Sequence, residues 1–273
     1  MLGVRWPTCA TAYNISYMLR AITHKVSSRV EECELTFLDR SPIDLQLAMR
    51  QHDDYCATLR RLGAVVEILS ENEAYPDSCF VEDTSVVVDE LAIICSLGVS
   101  SRRGETRLIE RELSKYRETV HISLPAMIEG GDVLRVRKKV FVGQSRRTNL
   151  DGIEELARIL EPRGYEIIPV KTKGSLHLKS ACTAINDETL FVNSDCIELD
   201  ALRGFNLVYT PAGEARSANV MRVGDTVCVQ AGFPRAVELI KGMGERVEII
   251  NTSELGKAEA GLTCSSIIFE SAI

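Results

Sequence analysis

The sequence predicts an α/β protein made of five repeated strand-strand-helix-strand units that close into a ring. Two observations favour it: each amphipathic helix is followed by a short apolar strand, and each is preceded by a pair of strands joined by a tight turn. A third is the spacing, because the strands that follow the helices begin 55, 46, 41 and 40 residues apart. Regular spacing of this length is typical of a repeated supersecondary unit.

The helices and the strands that follow them are predicted from periodicity. Apolar residues recurring every 3.6 positions predict helices at 42–62, 104–117, 149–161, 197–203 and 233–243. Short apolar runs rich in β-branched residues predict the following strands at 65–69, 120–124, 166–170, 207–210 and 247–250.

Strand pairs precede four of the helices within continuous sequence, at 80–88 with 91–95, 131–136 with 140–143, 178–185 with 189–192, and 218–223 with 226–230. The fifth unit is split between 262–269 near one end of the chain and 10–15 with 17–21 near the other. Each unit must bury its apolar face against neighbours, so units joined by both ends of the chain are expected to form a ring. With no linker-like tract, we expect one domain spanning 1–273.

Composition narrows the functional classes. A net charge of -7 and a pI near 5.3 argue against a nucleic-acid partner. No apolar run is long enough to suggest a membrane span and no leader pattern precedes the domain, so a cytoplasmic protein is expected. Nine cysteines without any Cys-x-x-Cys pair argue against a disulfide framework and a thiolate zinc site. A homodimer is left open.

Residues able to carry chemistry stand where the strand pairs open. Cys264 lies between Thr263 and Ser265, and His177 precedes another such strand. Most cysteines and histidines are structural, but a thiol and an imidazole at equivalent places of two units favour nucleophilic catalysis. The remaining three histidines, His24, His52 and His121, need no role because the first two lie among polar residues and the third is expected to face solvent.

Acidic residues occupy other openings of the same kind: Asp77, Glu82 and Asp83 in one segment, and Glu129 and Asp132 in the next. Such residues are often only turn formers. Several carboxylates aimed at a protein centre are nevertheless costly to bury without a cation, and a planar guanidinium matches their bidentate geometry. We therefore expect the cation to be the substrate.

Two Ser-Arg-Arg segments follow the second strand of successive units, at 101–103 and 145–147. Helix capping and solvated charge explain them without function, because Ser, Thr and Asn are good N-cap residues. Arginine is poorly placed near the positive N-terminus of a helix, however. Its repetition at equivalent places favours an anion site as strongly as it favours capping.

These residues make the chain resemble the guanidino-group-modifying, or pentein, superfamily, and most closely the dimethylarginine dimethylaminohydrolases. The resemblance extends over about 17–269. It is carried by Cys79-Phe80-Val81-Glu82-Asp83, Gly130-Gly131-Asp132-Val133-Leu134, Phe141-Val142-Gly143 with Arg147-Thr148-Asn149, Leu176-His177-Leu178-Lys179-Ser180 and Leu262-Thr263-Cys264. The resemblance implies a five-bladed α/β propeller, in agreement with the repeats.

The resemblance also implies roles for individual residues. Cys264 would be the nucleophile, His177 the general acid and base, and Glu129 the residue that orients His177. For substrate binding, Asp83 would grip the guanidinium, Asp77 and Glu82 would line the pocket, Arg102 and Arg147 would hold the carboxylate, and the backbone of Ala258 would take the α-amino group. A lid is expected near 23–28, with Val26 as its contact residue. No metal or organic cofactor is implied.

The reaction expected from the resemblance is hydrolysis of a methylated arginine to citrulline and a methylamine through a covalent thiouronium. A first alternative is release of ammonia from arginine, or amidino transfer, by the same residues. The short chain disfavours it, because typical arginine deiminases carry an extra helical domain. A second alternative is a non-catalytic binding protein, since a ribosome-associated initiation factor shares the architecture and fold does not fix function.

Overall fold

The computed structural model describes residues 17–272, and the strand predicted at 10–15 lies outside them. Its strands form five sheets of three strands each, with one shared topology. In every sheet the middle strand pairs antiparallel with one neighbour and parallel with the other. The predicted repeat of five α/β units is confirmed.

Each sheet except the first is built from three strands that are consecutive in the chain. The first sheet contains β15 (Ile267–Ala272), β1 (Tyr17–His24) and β2 (Val65–Leu69); the second, β3 (Ser85–Val87), β4 (Leu91–Ile94) and β5 (Glu118–His121); the third, β6 (Val133–Val136), β7 (Lys139–Gln144) and β8 (Glu166–Lys171); the fourth, β9 (Cys182–Asn186), β10 (Thr189–Val192) and β11 (Asn206–Tyr209); the fifth, β12 (Met221–Val223), β13 (Thr226–Gln230) and β14 (Arg246–Ile250).

Helices connect the middle strand of a sheet to its parallel neighbour in four of the five units. They are α1 (Leu45–Arg61), α2 (Thr106–Leu113), α3 (Leu150–Leu160) and α4 (Pro234–Gly242), and a one-turn helix α5 (Ser253–Gly256) follows β14. The amphipathic helix predicted at 197–203 is wrong, because that unit has only a 3₁₀ turn at Leu199–Leu202. An isolated bridge between Ile197 and Thr172 keeps the preceding chain extended and leaves too few residues for a helix.

Five apolar clusters close the ring, because each one joins two neighbouring sheets. One cluster unites Val86 and Ile93 of the second sheet with Val140 and Val142 of the third, and equivalent clusters join the third to the fourth, the fourth to the fifth and the first to the second. The cluster that closes the circle packs residues of the fifth sheet against the first sheet and α1. Apolar burial therefore joins every sheet to both of its neighbours.

Short 3₁₀ turns precede the first strand of every sheet, at Val81–Thr84, Gly130–Asp132, Leu178–Ser180, Ala215–Ala218 and Thr263–Ser265. The sequence patterns predict strands that run through these turns, so the observed strands are shorter than predicted. Because the first strands line the centre of the ring, the turns bring distant residues together there. Within residues 17–272, no helix combines the length and apolar character needed to cross a bilayer.

Candidate active site

A small cavity of about 20 Å³ lies among these turns. Its lining residues are Glu34, Asp77, Phe80, Asp83, Arg102, Arg147, Leu176, His177, Ala258, Glu259, Ala260 and Cys264. Seven of the nine residues proposed from the sequence are among them. The other two, Glu82 and Glu129, stand behind the wall of the cavity.

His177 is held between two carboxylates at this cavity. Its Nε2 lies 2.8 Å from Oε2 of Glu129, and its Nδ1 lies 3.7 Å from Oδ1 of Asp83. Burial lowers the pKa of the imidazole, but the charge of Asp83 and the hydrogen bond to Glu129 outweigh it and raise the pKa to about 9. The imidazole is therefore a protonated acid at neutral pH.

Glu129 is fully buried and fixed on its other oxygen. Its Oε1 accepts a hydrogen bond from the backbone N–H of Gly98 at 3.0 Å and lies 3.5 Å from Nη1 of Arg147. Gly98 is needed for this approach, since a Cβ there would lie 3.0 Å from the Cα of Arg147. The carboxylate can orient the ring of His177 because it cannot itself rotate freely.

Cys264 lies in the 3₁₀ turn before β15 and is partly exposed to the cavity. Burial, and after it the charges of Glu82 and Asp83, raise the pKa of its thiol far above the ordinary value. The backbone N–H of Gly261 points to Sγ at 3.4 Å. The resting residue is thus a thiol, and a cation bound beside it would favour the thiolate.

Asn219, at the opening of the fifth sheet, positions the turn that carries Cys264. Its Oδ1 accepts from the N–H of Thr263 at 3.1 Å, while its Nδ2 donates to the carbonyl of Lys179 at 2.9 Å. A side chain at Gly261 would collide with Asn219, at 2.4 Å. The amide therefore ties the thiol turn to the turn that follows His177.

Glu82 faces away from the cavity that Cys264 lines. Its carboxylate accepts hydrogen bonds from Nζ of Lys179 at 2.5 Å and from Oγ1 of Thr263 at 2.6 Å. It lines a separate cavity of about 500 Å³ between the first strands of the sheets. Its link to the thiol is through Thr263, the residue before Cys264.

A buried acidic cluster surrounds Arg102. Its guanidinium lies 2.7 Å from Asp83, 2.9 Å from Glu105 and 4.0 Å from Asp77. Burial raises the pKa of Glu105 to about 7 and also raises that of Asp77, whereas the charges of His177 and Arg102 overcome burial and keep the pKa of Asp83 low. Three carboxylates around one arginine leave the cluster short of positive charge, so it attracts a cation.

Arg147 has fewer protein partners than Arg102. Beyond Glu129, its Nη2 donates to Oγ1 of Thr36 at 3.1 Å. It lines the cavity together with Ala258, whose N–H donates a hydrogen bond to the carbonyl of Leu255 at 3.0 Å. The backbone group that Ala258 offers to a ligand is therefore its carbonyl.

The segment 34–38, which we call the strap, borders this cavity through Glu34 and reaches Arg147 through Thr36. Glu34 donates its N–H to Asp77, and the N–H groups of Thr36, Phe37 and Leu38 all point to the carboxylate of Glu259. Glu259 adopts a left-handed backbone with φ 63°, a conformation rare for a residue other than glycine. Strain of this kind is characteristic of functional positions.

The predicted position of the lid was wrong. Thr23 belongs to β1 and is fully buried, and Val26 packs into the apolar cluster around Phe80 without lining the cavity. The sequence contains no local sign of the strap, because its partner Glu259 lies more than 200 residues away.

The other histidines stand outside the cavity. His121 is exposed beside Glu110, as expected, but His24 and His52 are buried despite their polar neighbours in sequence. Burial lowers the pKa of His52 to about 4, so it is neutral. Ligand atoms of Asp83, Glu129 and His177 lie within 4.8 Å of one another, but a protonated imidazole cannot coordinate a metal ion. The expectation of a metal-free reaction stays a prediction.

Sequence reasoning missed Glu105 and Thr36, which bond to Arg102 and Arg147, and Glu259, which holds the strap and lines the cavity. Only Glu105 had a local signal, since it lies three residues after Arg102 and this spacing allows an ion pair within one helical turn.

Comparison with known proteins gives matches over most of the chain. Residues 30–207 match the model of the family described as N,N dimethylarginine dimethylhydrolase, eukaryotic. The chain is 32% identical to the N(G),N(G)-dimethylarginine dimethylaminohydrolase of Pseudomonas aeruginosa, over 83% of this chain and 90% of that protein. It is 31% identical to the Streptomyces coelicolor enzyme of the same name, over 91% of this chain and 96% of that protein.

A solved structure extends the likeness to three dimensions. The Pseudomonas aeruginosa enzyme, crystallised as a cysteine-to-serine mutant with citrulline, superposes with a TM-score of 0.87 at 30% identity, covering 92% of this chain and all of that one. The five-bladed α/β propeller implied by the resemblance is thereby confirmed. On its sequence, its fold and the residues gathered at its hub, the chain belongs to the dimethylarginine dimethylaminohydrolase family.

Proposed function

We infer that the protein hydrolyses an Nω-methylated arginine to citrulline and a methylamine. The observation that carries this inference is the placement of the His177 imidazole between Glu129 and Asp83, in the cavity that also exposes the thiol of Cys264. A nucleophile and an acid beside a cluster short of positive charge suit a reaction at a guanidinium carbon.

Binding prepares the nucleophile. The substrate guanidinium pairs with Asp83 in place of part of its contact with Arg102, and its charge lowers the pKa of Cys264 so that the thiol proton leaves to solvent. We propose that Asp77 lines this slot, and that Glu82 acts from behind by holding Thr263.

The thiolate then adds to the guanidinium carbon. His177 gives a proton from Nδ1 to the methylated nitrogen of the tetrahedral adduct, because Nε2 is engaged by Glu129. The carbon–nitrogen bond breaks, the amine departs, and a covalent thiouronium remains on Cys264. Neutral His177 next takes a proton from water, and the oxygen adds to the same carbon. The carbon–sulfur bond then breaks while the proton of the added hydroxyl passes to solvent, which releases neutral citrulline. The thiolate and the imidazolium are both regenerated.

The amino-acid end of the substrate is proposed to lie under the strap. Arg147 is the favoured ligand for its carboxylate, because Arg102 is already surrounded by three acidic side chains. Arg102 as a second carboxylate ligand stays a prediction from the resemblance. The carbonyl of Ala258 would accept from the α-amino group.

Product analysis tests the assignment. Purified protein is incubated with asymmetric dimethylarginine, monomethylarginine or arginine, and citrulline, methylamines and ammonia are quantified. We expect citrulline with an equal amount of methylamine from the methylated substrates. Citrulline and ammonia from arginine alone would identify a deiminase instead.

A cysteine variant tests the mechanism. Cys264→Ser is expected to lower turnover by about 10³-fold or more, as loss of a nucleophile does. Cys196→Ser is the matched control, since Cys196 is also partly exposed but lies outside this cavity. Equal, measurable rates for Cys264→Ser and the wild type would refute covalent catalysis at this residue. No conversion by either protein would favour the binding-protein alternative.

Three further expectations concern the protein as a whole. A single catalytic domain over 1–273 and a cytoplasmic location remain predictions from the sequence, and whether the protein forms a homodimer stays open.

A further inference from the structure

Asp132 is a fully buried carboxylate to which the proposed reaction gives no task. It ends the 3₁₀ turn Gly130–Asp132 and does not line the cavity. Its Oδ1 accepts from the backbone N–H of Leu178 at 2.9 Å, and its Oδ2 accepts from Oγ of Ser145 at 2.6 Å. A buried carboxylate is costly, so its two bonds require an explanation.

The bond to Leu178 acts on the acid and base. Leu178 directly follows His177, so Asp132 fixes the backbone from which the imidazole projects. The approach depends on Gly143, because a Cβ at that position would lie 2.6 Å from Oδ1 of Asp132. The β7 strand is thus shaped to let this carboxylate reach the His177 turn.

The bond to Ser145 acts on the proposed carboxylate ligand. Oγ of Ser145 accepts from the N–H groups of Arg147 at 2.9 Å and Thr148 at 3.2 Å, and Oγ1 of Thr148 in turn accepts from the N–H of Glu129. Since Ser145 already accepts two hydrogen bonds, its single hydrogen needs a pure acceptor. An ionised carboxylate meets that need, and an amide oriented to accept from Leu178 does not.

We propose that Asp132 is a positioning residue that sets the places of His177 and Arg147 together, through Leu178 and Ser145, and so aligns the two ends of the substrate. It reaches neither the substrate nor the thiol. The proposal rests on the reaction inferred above.

Asp132 also adds charge near the imidazole. The acidic groups that face His177 are Asp83, Glu129 and Asp132, each from a turn packed against it, and all three raise its pKa. Removing the charge of Asp132 should therefore lower the pKa of His177, which a purely structural role would leave unchanged.

Three variants separate these effects. Asp132→Asn removes the charge and the acceptor for Ser145, Ser145→Ala removes only the relay to Arg147, and Glu214→Gln is the matched control. Glu214 is likewise a buried carboxylate that accepts from two backbone N–H groups, those of Arg235 and Ala236, but outside the site.

Steady-state kinetics from pH 6 to pH 10 give the main readout. For Asp132→Asn we expect kcat to fall by about 10- to 100-fold, as for a small misplacement of reacting groups, and the alkaline limb of kcat to move to lower pH. For Ser145→Ala we expect a several-fold higher KM with an unchanged limb, and for Glu214→Gln wild-type kinetics.

Labelling of Cys264 by 2-chloroacetamidine, followed by peptide mapping, supplies the active fraction of each variant and a readout that needs no turnover. If Asp132→Asn, corrected for active fraction, keeps the wild-type kcat, KM and pH limb, the proposal is overturned. If Asp132→Asn does not fold, an unchanged KM in Ser145→Ala overturns it. If the wild type turns over no methylated arginine, the inferred function fails, and the pH dependence of labelling still decides the role of Asp132.

Discussion

The two Ser-Arg-Arg segments have the same sequence and the same place in successive units, yet their arginines do different work. In the first, Arg102 is buried and held by Asp83 and Glu105. In the second, the last arginine, Arg147, turns to the cavity and meets Glu129 and Thr36. The arginine that points inward is the second residue of the first segment and the third residue of the second segment.

The serines differ as well. Oγ of Ser101 donates to Glu34 of the strap at 2.5 Å, whereas Oγ of Ser145 donates to Asp132. The capping interpretation of these segments applies only to Asn149, whose side chain accepts a hydrogen bond from the N–H of Gly152 at the start of α3. The repeated sequence therefore determines where these residues lie in the fold, and the neighbouring carboxylates determine what each arginine does.

The largest effect is expected for Arg102→Ala. The change leaves Asp77, Asp83 and Glu105 buried without their cation, which costs about 3–5 kcal/mol in the free energy of unfolding. Urea denaturation at neutral pH measures it, with the partly buried Arg103→Ala as control. A loss below about 1 kcal/mol would show that the cluster does not depend on Arg102.

Arg147→Ala should act on binding more than on stability. Loss of hydrogen bonds to a charged group corresponds to roughly 1.5–3 kcal/mol, so KM is expected to rise about 10- to 100-fold. The comparison of substrate with its decarboxylated analogue sharpens the test, because the variant should treat the two alike. A retained preference for the carboxylate would assign that group to Arg102 instead.

Glu105→Gln should change how stability depends on pH. Burial raises the pKa of Glu105 to about 7 in the folded protein, above its ordinary value of 4.5, although Arg102 opposes this. The folded state therefore holds a proton that the unfolded chain releases, and the wild type loses stability as pH rises from 4.5 to 7.

The glutamine variant has no such titration. The unfolding free energy of the wild type relative to Glu105→Gln should fall by on the order of 2 kcal/mol between pH 5 and pH 8. Parallel curves for the two proteins would mean that Glu105 is ionised throughout, and the shortage of positive charge would then be larger than inferred.

The smallest effect is expected for the outward arginine of the second segment. Arg146 stands 5.5 Å from the ring centroid of Phe37, an exposed contact worth about 0.5–1 kcal/mol. Arg146→Ala should change KM by less than about threefold. A larger change would mean that this contact, with Glu259, controls how the strap closes.

The sequence predicted the fold well because each unit is encoded by local periodicity, and α1, α3 and α4 lie within the predicted ranges. The site could be predicted where a residue type stands at a strand opening, as for Cys264 and His177. The site could not be predicted where a contact joins residues that are remote in sequence and belong to no pattern. Examples are the hydrogen bond of Arg147 to Thr36 and that of the strap to Glu259. The helix predicted at 197–203 is absent because a bridge at Ile197, a tertiary contact, overrode the local pattern.

The strand that completes the first sheet begins three residues after the proposed nucleophile. β15 pairs with β1 and so closes the ring; the pairing runs from Tyr17 opposite Ala272 to Ile22 opposite Ile267. Any event that peels this edge away, such as nicking or local unfolding, would withdraw the sulfur of Cys264 from its acid partner at the same time. Closure of the ring and alignment of the thiol with its acid partner are thus coupled.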